Sequence, residues 1–339
     1  MITFREVYER ICRRDLPGDV VRAAFGEILR GAWSDVEIAA FAASLRAAGL
    51  EDRVLSGAAR ALRDVMTPLD HGLDRVLDTC GTGGDGGHTL NVSTGAAIVA
   101  AAAGASVAKH GNRSVSSQCG SADVIEALGI PLDLPPERQV ASLAENRITF
   151  LMAPLFHPAL RHAARARREL GIRTVFNALG PLVNPARPTH QLVGVYEDAL
   201  RPRMAATLGD LGCKRAWAVR SDDGLDEISP AAPTRVSVLD DGAVTEIVVT
   251  PEDFGCARRP LSALAGGDAR ANAESLEAIV SGRHHPATDA VLLNAAAALV
   301  VLDAITPRDA FVRAREAVAS GRAHATLEAW RAATRAAPP

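Results

Sequence analysis

The sequence predicts an α/β chain, with a small all-helical N-terminal domain over residues 1–71 and a larger α/β domain over 72–339 built on a mainly parallel sheet. Three observations predict it. Up to about residue 70 there is helical periodicity and no run of strand character; from about 72 short apolar runs alternate with helical stretches; and two glycine- and hydroxyl-rich loops each lead into a helix. A chain of 339 residues suits roughly two domains.

In the first domain, Ser34-Asp35-Val36-Glu37 has the form of a capping box, in which a hydroxyl and a carboxylate satisfy the first orphan amides of a helix. Ile38, Phe41, Ala42 and Leu45 then share one face, and Gly49 supplies a stop. Residues 75–80 read as the first strand, followed by the glycine loop, an alanine-rich helix and a second strand at 105–108 that ends in Lys109-His110. Further strands are expected at 148–152, 191–196, 216–219, 235–239 and 245–249. A second helical patch, 157–170, is closed by Gly171 and followed by the Pro/Gly-rich turn 177–185. That turn reads as a hinge returning to the helical layer, so the segment near 157–185 is expected to join the helical domain. An Ala/Pro tail, 332–339, ends the chain.

Composition narrows the function classes. With 37 basic against 40 acidic side chains and a net charge of −3, the chain has no general attraction to nucleic acid or to a membrane. Arg5, Glu6, Glu9, Arg10, Arg13 and Arg14 leave no room for an N-terminal targeting segment, so a cytoplasmic location is expected. The longest apolar run, around 96–103, is too short for the ~20 residues that span a bilayer. Five scattered cysteines, with no CxxC pair, read as reduced thiols.

The chemistry is concentrated in three segments. In Gly81-Thr82-Gly83-Gly84-Asp85-Gly86-Gly87-His88-Thr89-Leu90-Asn91-Val92-Ser93-Thr94, glycines let backbone amides approach an anion, and the following helix offers its positive end. The loop satisfies GxGxxG literally, but a dinucleotide fingerprint needs an acidic residue ~20 positions on. Here the second strand ends in Lys109-His110 instead, and no Gly-Lys-Ser/Thr makes a P-loop. Phosphate binding is the favoured reading and a plain glycine turn the alternative. The second loop, 109–123, adds Lys109, Arg113 and a cluster of hydroxyls, the inventory of a second polyanion clamp. The third, Asp222-Asp223-Gly224-Leu225-Asp226-Glu227, would repel an anion unless a divalent cation intervenes; Mg2+, which takes one or two carboxylates plus ligand phosphates, resolves the conflict. A solvated acidic turn is the alternative. No nucleophile paired with a base stands out, so catalysis by positioning and electrostatics is expected. Of Arg161, Arg165, Arg167, Arg168 and Arg173, spacing alone does not say which would pair with an organic carboxylate.

These stretches, together with the run 167–174 and the turn 177–184, resemble the anthranilate phosphoribosyltransferases. The similarity extends through Gly266-Gly267-Asp268-Ala269 and Leu293-Asn294-Ala295, covering essentially the whole chain. The resemblance implies a nucleoside phosphorylase/phosphoribosyltransferase-like fold, usually a homodimer joined through the helical part. It implies Mg2+-assisted transfer of phosphoribose from phosphoribosyl pyrophosphate to the amine of anthranilate, with release of pyrophosphate, in tryptophan biosynthesis. By motif, Gly81, Gly84, Asp85, Thr89, Asn91, Ser93 and Thr94 would hold phosphoribosyl pyrophosphate, together with Lys109, His110, Gly111, Asn112, Arg113, Ser114, Val115, Ser116, Ser117 and Ser121. Ser93, Asp226 and Glu227 would ligate Mg2+ directly or through water. Gly81, Asn112 and Arg167 would place anthranilate, Arg167 facing its carboxylate, with His110 bordering the pocket and His157 and Pro181 lining its approach. Two departures from the family pattern stand beside these loops: Gln118-Cys119 where Lys-Ser is common, and Arg220-Ser221 where His-Gly is common. The rival readings are a relative acting on a substituted aminobenzoate, a nucleoside phosphorylase of the same fold, and a non-catalytic nucleic-acid binder, which would carry a basic surplus that this chain lacks.

Overall fold

The computed structural model of the chain describes residues 1–83, 89–113 and 119–335. Four helices open it: α1 (Phe4–Cys12), α2 (Gly18–Leu29), α3 (Asp35–Ala48) and α4 (Asp52–Val65). α3 starts at the expected capping box, where Ser34 Oγ accepts from the Glu37 amide at 3.4 Å and Glu37 Oε2 accepts from the Ser34 amide at 2.8 Å. Its stripe Ile38, Phe41, Ala42 and Leu45 is buried, and Gly49 ends it at φ 98°, a left-handed value that favours glycine. Helix Arg161–Leu170 and the short helix Val175–Ala178 pack into this same apolar core through Ala163, Ala166, Val175 and Phe176. The Phe176 ring lies 5.3 Å from that of Phe25 in α2. Meanwhile Arg161, Arg165 and Arg168 remain on the exposed face of the helix.

The sheet comprises β1 (Leu77–Asp78), β2 (Val107–Gly111), β3 (Ile148–Met152), β4 (His190–Gly194), β5 (Arg215–Ser221), β6 (Thr234–Asp240) and β7 (Ala243–Val249), in the order β3-β2-β1-β4-β5-β6-β7. The first five strands run parallel, and β6 and β7 add antiparallel at the β5 side. The chain moves outward from β1 to β3 and then returns to the other side of β1, so strand order reverses between β1 and β4. Beyond the carboxyl ends of strands at such a switch point an open α/β sheet leaves a crevice for ligands.

Two strands differ from the sequence expectation. β1 has two residues rather than six, because beyond Asp78 the Thr79 carbonyl is taken by Lys109 Nζ at 3.2 Å instead of by a neighbouring strand. β2 continues through Lys109, His110 and Gly111, which pair with Phe150, Leu151 and Met152 of β3, so the lysine and histidine belong to a buried strand and not to a loop. The turn after helix Val175–Ala178 is stitched to the sheet: Gln191 Nε2 donates to Pro181 O at 2.9 Å, and Asn184 Nδ2 donates to Asp78 Oδ2 and to Ala108 O, each at 2.8 Å. It therefore joins the helical core to three adjacent strands. Among the described residues the cysteines are free thiols, and no single helix is long and apolar enough to cross a membrane.

Candidate active site

Gly81, at the end of the chain leaving β1, lies against both Gly194 at the end of β4 and the acidic turn. A Cβ on Gly81 would stand 3.2 Å from Asp226 Oδ2 and 3.2 Å from Gly194 O. A Cβ on Gly194 would fall 1.6 Å from the Asp226 carbonyl oxygen, so only glycine lets the acidic turn cross the carboxyl end of β4. The turn itself sorts its four carboxylates. Asp222 pairs with Arg235 at 2.9 Å, and Asp223 accepts from the hydroxyls of Ser221 and Ser229. Glu227 Oε1 instead accepts from the Ser93 amide at 3.2 Å, while Asp226 lies by Gly81. The turn is held from below by Asn294, whose Oδ1 accepts from the Ile228 amide at 2.9 Å and whose Nδ2 donates to the Ile228 carbonyl at 3.0 Å.

Ser93 sits in the first turn of α5 (Val92–Ala102), a helix buried through its alanines in the core of the large domain. Its N-cap, Asn91, makes no capping hydrogen bond, and Thr94 Oγ1 is buried with no partner among the described residues. A buried hydroxyl left without a partner at the positive end of a helix suits an anion. Lys109 reaches the same place from β2. It is buried, and its Nζ donates to Thr79 O at 3.2 Å, Thr79 Oγ1 at 3.3 Å and Ser93 Oγ at 3.2 Å. Behind it lies Asp78, fully buried, whose Oδ1 accepts from the His110 amide at 3.3 Å. Burial raises the Asp78 carboxyl to about 6, against the opposing pull of Lys109 and the Asn184 hydrogen bond.

The donors around Gly81 and Ser93 are two carboxylates and a hydroxyl, hard oxygen ligands of the kind Mg2+ selects. Among the described residues no group of three His, Cys, Asp or Glu makes an all-protein metal cage, which Mg2+ completed by phosphate oxygens and water does not require. The residues fit the ion, with the Ser93 hydroxyl shared with Lys109.

From the second loop, Gly111 is held so closely that a Cβ would come 2.3 Å from Ser121 Oγ and 2.7 Å from the Phe150 ring. Asn112 and Arg113 are exposed, and Arg113 Nη1 pairs with Asp123 at 2.9 Å and Glu126 at 2.8 Å. Its charge is already matched by the helix Ser121–Ala127 that follows, so Lys109 is the cation this loop region brings to the crevice floor. Gly84, Asp85, Ser114, Val115, Ser116 and Ser117, and Gln118 of the first departure, lie outside the described residues.

Along the hinge side, His110 Nδ1 is 2.9 Å from Gly180 O, a carbonyl that can only accept, so Nδ1 carries the proton. Burial, reinforced by His157, depresses His110 to about 3, and burial depresses His157 to about 4; both rings are neutral at pH 7 and lie 5.3 Å apart. His110 Nε2 is thereby a buried acceptor with no partner among the described residues. Arg167 is the arginine of its helix that turns inward: half-buried, it stacks 5.3 Å over the Phe176 ring, and burial lowers its pKa. Exposed Arg173 stacks 4.9 Å over Tyr196, beside the end of β4. Arg220, the second departure, donates from Nη1 to Val195 O at 3.1 Å and so braces the chain leaving β4.

Several residues here had no signal in sequence. Asp78 and Asn184 read as a strand residue and a turn residue. Asn272 comes from a distant helix, Ala269–Val280, yet its Nδ2 donates to Asn91 Oδ1 at 3.0 Å and its Oδ1 accepts from the Gly267 amide at 2.7 Å. Asn91 Nδ2 in turn reaches Cys119 O at 3.4 Å, joining the first loop to the second. Thr89 forms an isolated bridge with Ala265, where a Cβ on Gly266 would stand 2.6 Å from the Thr89 carbonyl carbon. Only the motif Gly266-Gly267-Asp268-Ala269, noted for its resemblance, hinted that this remote segment matters.

Comparison with known proteins follows the same division. Residues 5–66 match the helical bundle domain and residues 73–324 the a/b domain of the glycosyl transferase family. The chain is 46% identical over 331 residues to the anthranilate phosphoribosyltransferase of Myxococcus xanthus, covering 97% of this chain and 98% of that one. The chain belongs to the anthranilate phosphoribosyltransferase family. The crystal structure of the Thermus thermophilus anthranilate phosphoribosyltransferase superposes with a TM-score of 0.91 at 38% identity, covering 97% of this chain and 99% of that one. The Saccharomyces cerevisiae enzyme in complex with PRPP and Mg superposes with a TM-score of 0.89 at 28% identity, covering 98% and 97%. A further structure of that anthranilate phosphoribosyltransferase is in complex with 4-fluoroanthranilate.

Proposed function

We propose that the crevice at the β1/β4 switch point binds phosphoribosyl pyrophosphate with Mg2+ and transfers its phosphoribosyl group to the amine of anthranilate, releasing pyrophosphate. The observation that carries the reading is the meeting of Gly81, Ser93, Lys109, Asp226 and Glu227 at the start of α5. The positive end of α5, Thr94 Oγ1 and the Lys109 ammonium hold the phosphates. Asp226, Glu227 and Ser93 hold Mg2+, which when bound supplies positive charge against the departing pyrophosphate. The amine nitrogen forms the new C–N bond as the bond from ribose C1 to pyrophosphate breaks, and the amine gives up one proton, which the departing pyrophosphate takes directly or through water. His110 Nε2, an acceptor, orients the amine through one of its N–H groups, and Arg167 receives the carboxylate as a fork. Neither histidine is an acid at neutral pH, so rate comes from alignment and electrostatics. The yeast complexes with PRPP and Mg and with 4-fluoroanthranilate support the two ligand classes. A homodimer through the helical layer belongs to the same reading, supported by exposed Tyr8 and Val36 on α1 and α3; sedimentation of the pure chain as a monomer would remove it.

The decisive measurement is loss of anthranilate fluorescence with purified protein, phosphoribosyl pyrophosphate and varied Mg2+. Loss that needs all three supports the assignment; persistent fluorescence alongside binding of phosphoribosyl pyrophosphate would overturn the acceptor. Arg167→Ala is expected to raise the anthranilate KM by roughly 10–100-fold, the ~1.5–3 kcal/mol of a charged hydrogen bond, with the phosphoribosyl pyrophosphate KM little changed. Unaltered acceptor saturation would mean another arginine does this work. Asn272→Ala frees Asn91 from its brace, so the phosphoribosyl pyrophosphate KM is expected to rise about fivefold, the equivalent of the ~1 kcal/mol of one hydrogen bond, while the anthranilate KM holds. An equal rise in both constants would point to general loosening instead.

A further inference from the structure

Away from the crevice, a cavity of about 310 Å3 opens where α2 and α4 meet the end of helix Leu200–Asp210 and the chain just after the hinge turn. Four arginines line it, Arg22, Arg60, Arg63 and Arg187, against two carboxylates, Asp64 and Asp210. The carboxylates are engaged. Asp64 accepts from Arg22 Nε at 2.7 Å and from Arg22 Nη2 at 2.8 Å, a closed fork, and Asp210 Oδ2 accepts from Ser56 Oγ at 2.9 Å. Arg60 and Arg63 meet neutral carbonyls: Arg60 Nη2 donates to Asp210 O at 2.6 Å, Arg63 Nε to Leu182 O at 2.8 Å and Arg63 Nη1 to Leu211 O at 2.9 Å. The bonds to Asp210 O and Leu211 O cap the negative end of helix Leu200–Asp210, that to Leu182 O ties Arg63 to the hinge turn, and together they account for two of the arginines. They do not account for Arg187, which is exposed and sits at φ 46°; its amide donates to Asn184 O at 3.0 Å, and its guanidinium has no hydrogen bond or ion pair among the described residues.

Three guanidinium groups thus share one hollow with a single carboxylate not already paired to an arginine side chain. Burial, and then the like charges of Arg187 and Arg60, lower Arg63 to about 10, so the cluster is electrostatically short of anions. The cavity volume lies at the small end of the roughly 300–1,000 Å3 of ligand pockets. Guanidinium forks favour phosphate oxygens over a monovalent ion, through paired N–H donors and charge.

We propose that this cavity is a second anion site, outside the crevice, that takes a compact phosphate group: inorganic phosphate or the pyrophosphate class. Such an anion bridges α4, in the helical layer, to Arg187, three residues beyond Asn184, whose amide ties the hinge turn to Asp78 and β2. Occupancy therefore clamps the helical layer to the hinge, and links the concentration of a phosphate species to the ease with which the two layers move.

The test uses the full chain in equilibrium dialysis against radiolabelled inorganic phosphate or radiolabelled pyrophosphate, with Mg2+ and saturating phosphoribosyl pyrophosphate to compete at the crevice. Wild type is expected to retain one equivalent more than Arg187→Gln and more than Arg60→Gln/Arg187→Gln. Retention of both labels assigns phosphate generally, and retention of pyrophosphate alone assigns the reaction product. Equal retention in wild type and both variants overturns the site. In a buffer with chloride as the only anion, the variants should unfold at or above the wild-type temperature, since a like charge has been removed, and phosphate should raise the wild-type value by more than the variants', in which the crevice alone takes it. A lower variant melting temperature in chloride, with a phosphate-induced rise equal to that of wild type, makes Arg187 structural and also overturns the proposal. The wild-type minus variant difference needs no anthranilate and no turnover, so failure here is separable from failure of the proposed reaction.

Discussion

Asp226→Asn combined with Glu227→Gln is expected to lower Mg2+-dependent turnover by about 10²–10³-fold, or ~3–4 kcal/mol of transition-state stabilisation, without loss of the fold. Both changes are isosteric, and a glutamine carbonyl at 227 still accepts from the Ser93 amide, so the acidic turn keeps its contact with α5. Asn294 continues to hold Ile228, and Asp223 the two serine hydroxyls. What disappears is two negative charges beside Gly81 and the helix start. The check is a titration of turnover with Mg2+ alongside thermal unfolding of the variant. Activity unchanged at low Mg2+ would remove both carboxylates from the metal site, and a collapse of the unfolding transition would move them from chemistry to structure.

Lys109→Met should abolish turnover and also cost about 3–5 kcal/mol of stability at pH 7, because the fully buried Asp78 carboxyl loses the positive charge that opposes its desolvation and must either stay charged without it or take up a proton. The pH dependence follows from the Asp78 shift. Its folded value of about 6 lies above the ordinary 3.8, so the folded chain binds the proton more readily than the unfolded one. The stabilisation this brings is complete below the unfolded value and is lost as pH rises through about 6. Without Lys109, whose attraction opposes the rise, the window moves further up. The variant should therefore regain stability as pH falls from 7 towards 5, measured as a rising urea midpoint, by more than wild type does. Adding Asp78→Asn in the Lys109→Met background should restore stability at pH 7 while turnover stays lost. A single variant as stable as wild type at pH 7, with no recovery in acid, would refute the pairing.

Much of this site was legible in sequence where the signal is local. A capping box places its partners three residues apart, and Ser34 and Glu37 meet as their spacing requires. The glycine loop before the alanine-rich helix similarly announces a helix start, and α5 begins there. The acidic turn announced a cation, but six positions carrying four carboxylates did not say by themselves which faced the ligand; resemblance chose Asp226 and Glu227. In the structure Arg235 and two hydroxyls occupy the other two. Arg113 shows the opposite case. As a residue type it suited a phosphate clamp, yet Asp123 and Glu126, one and two helical turns into the next element, already match it.

By itself, then, the sequence determined where helices start and stop, where glycine can turn the chain, and that the side chains of the acidic turn offer oxygen donors. These properties depend on dihedral freedom and on donors and acceptors within a few residues. Tertiary structure decided that Asp78 is buried behind Lys109, that Gly194 admits the acidic turn, that Arg167 stacks inward on Phe176, and that Asn272 braces Asn91 across 181 positions. Each of those outcomes depends on which charge or backbone group a returning segment brings within hydrogen-bonding distance, and in a dry interior that encounter sets both the protonation of a side chain and the residue that will fit.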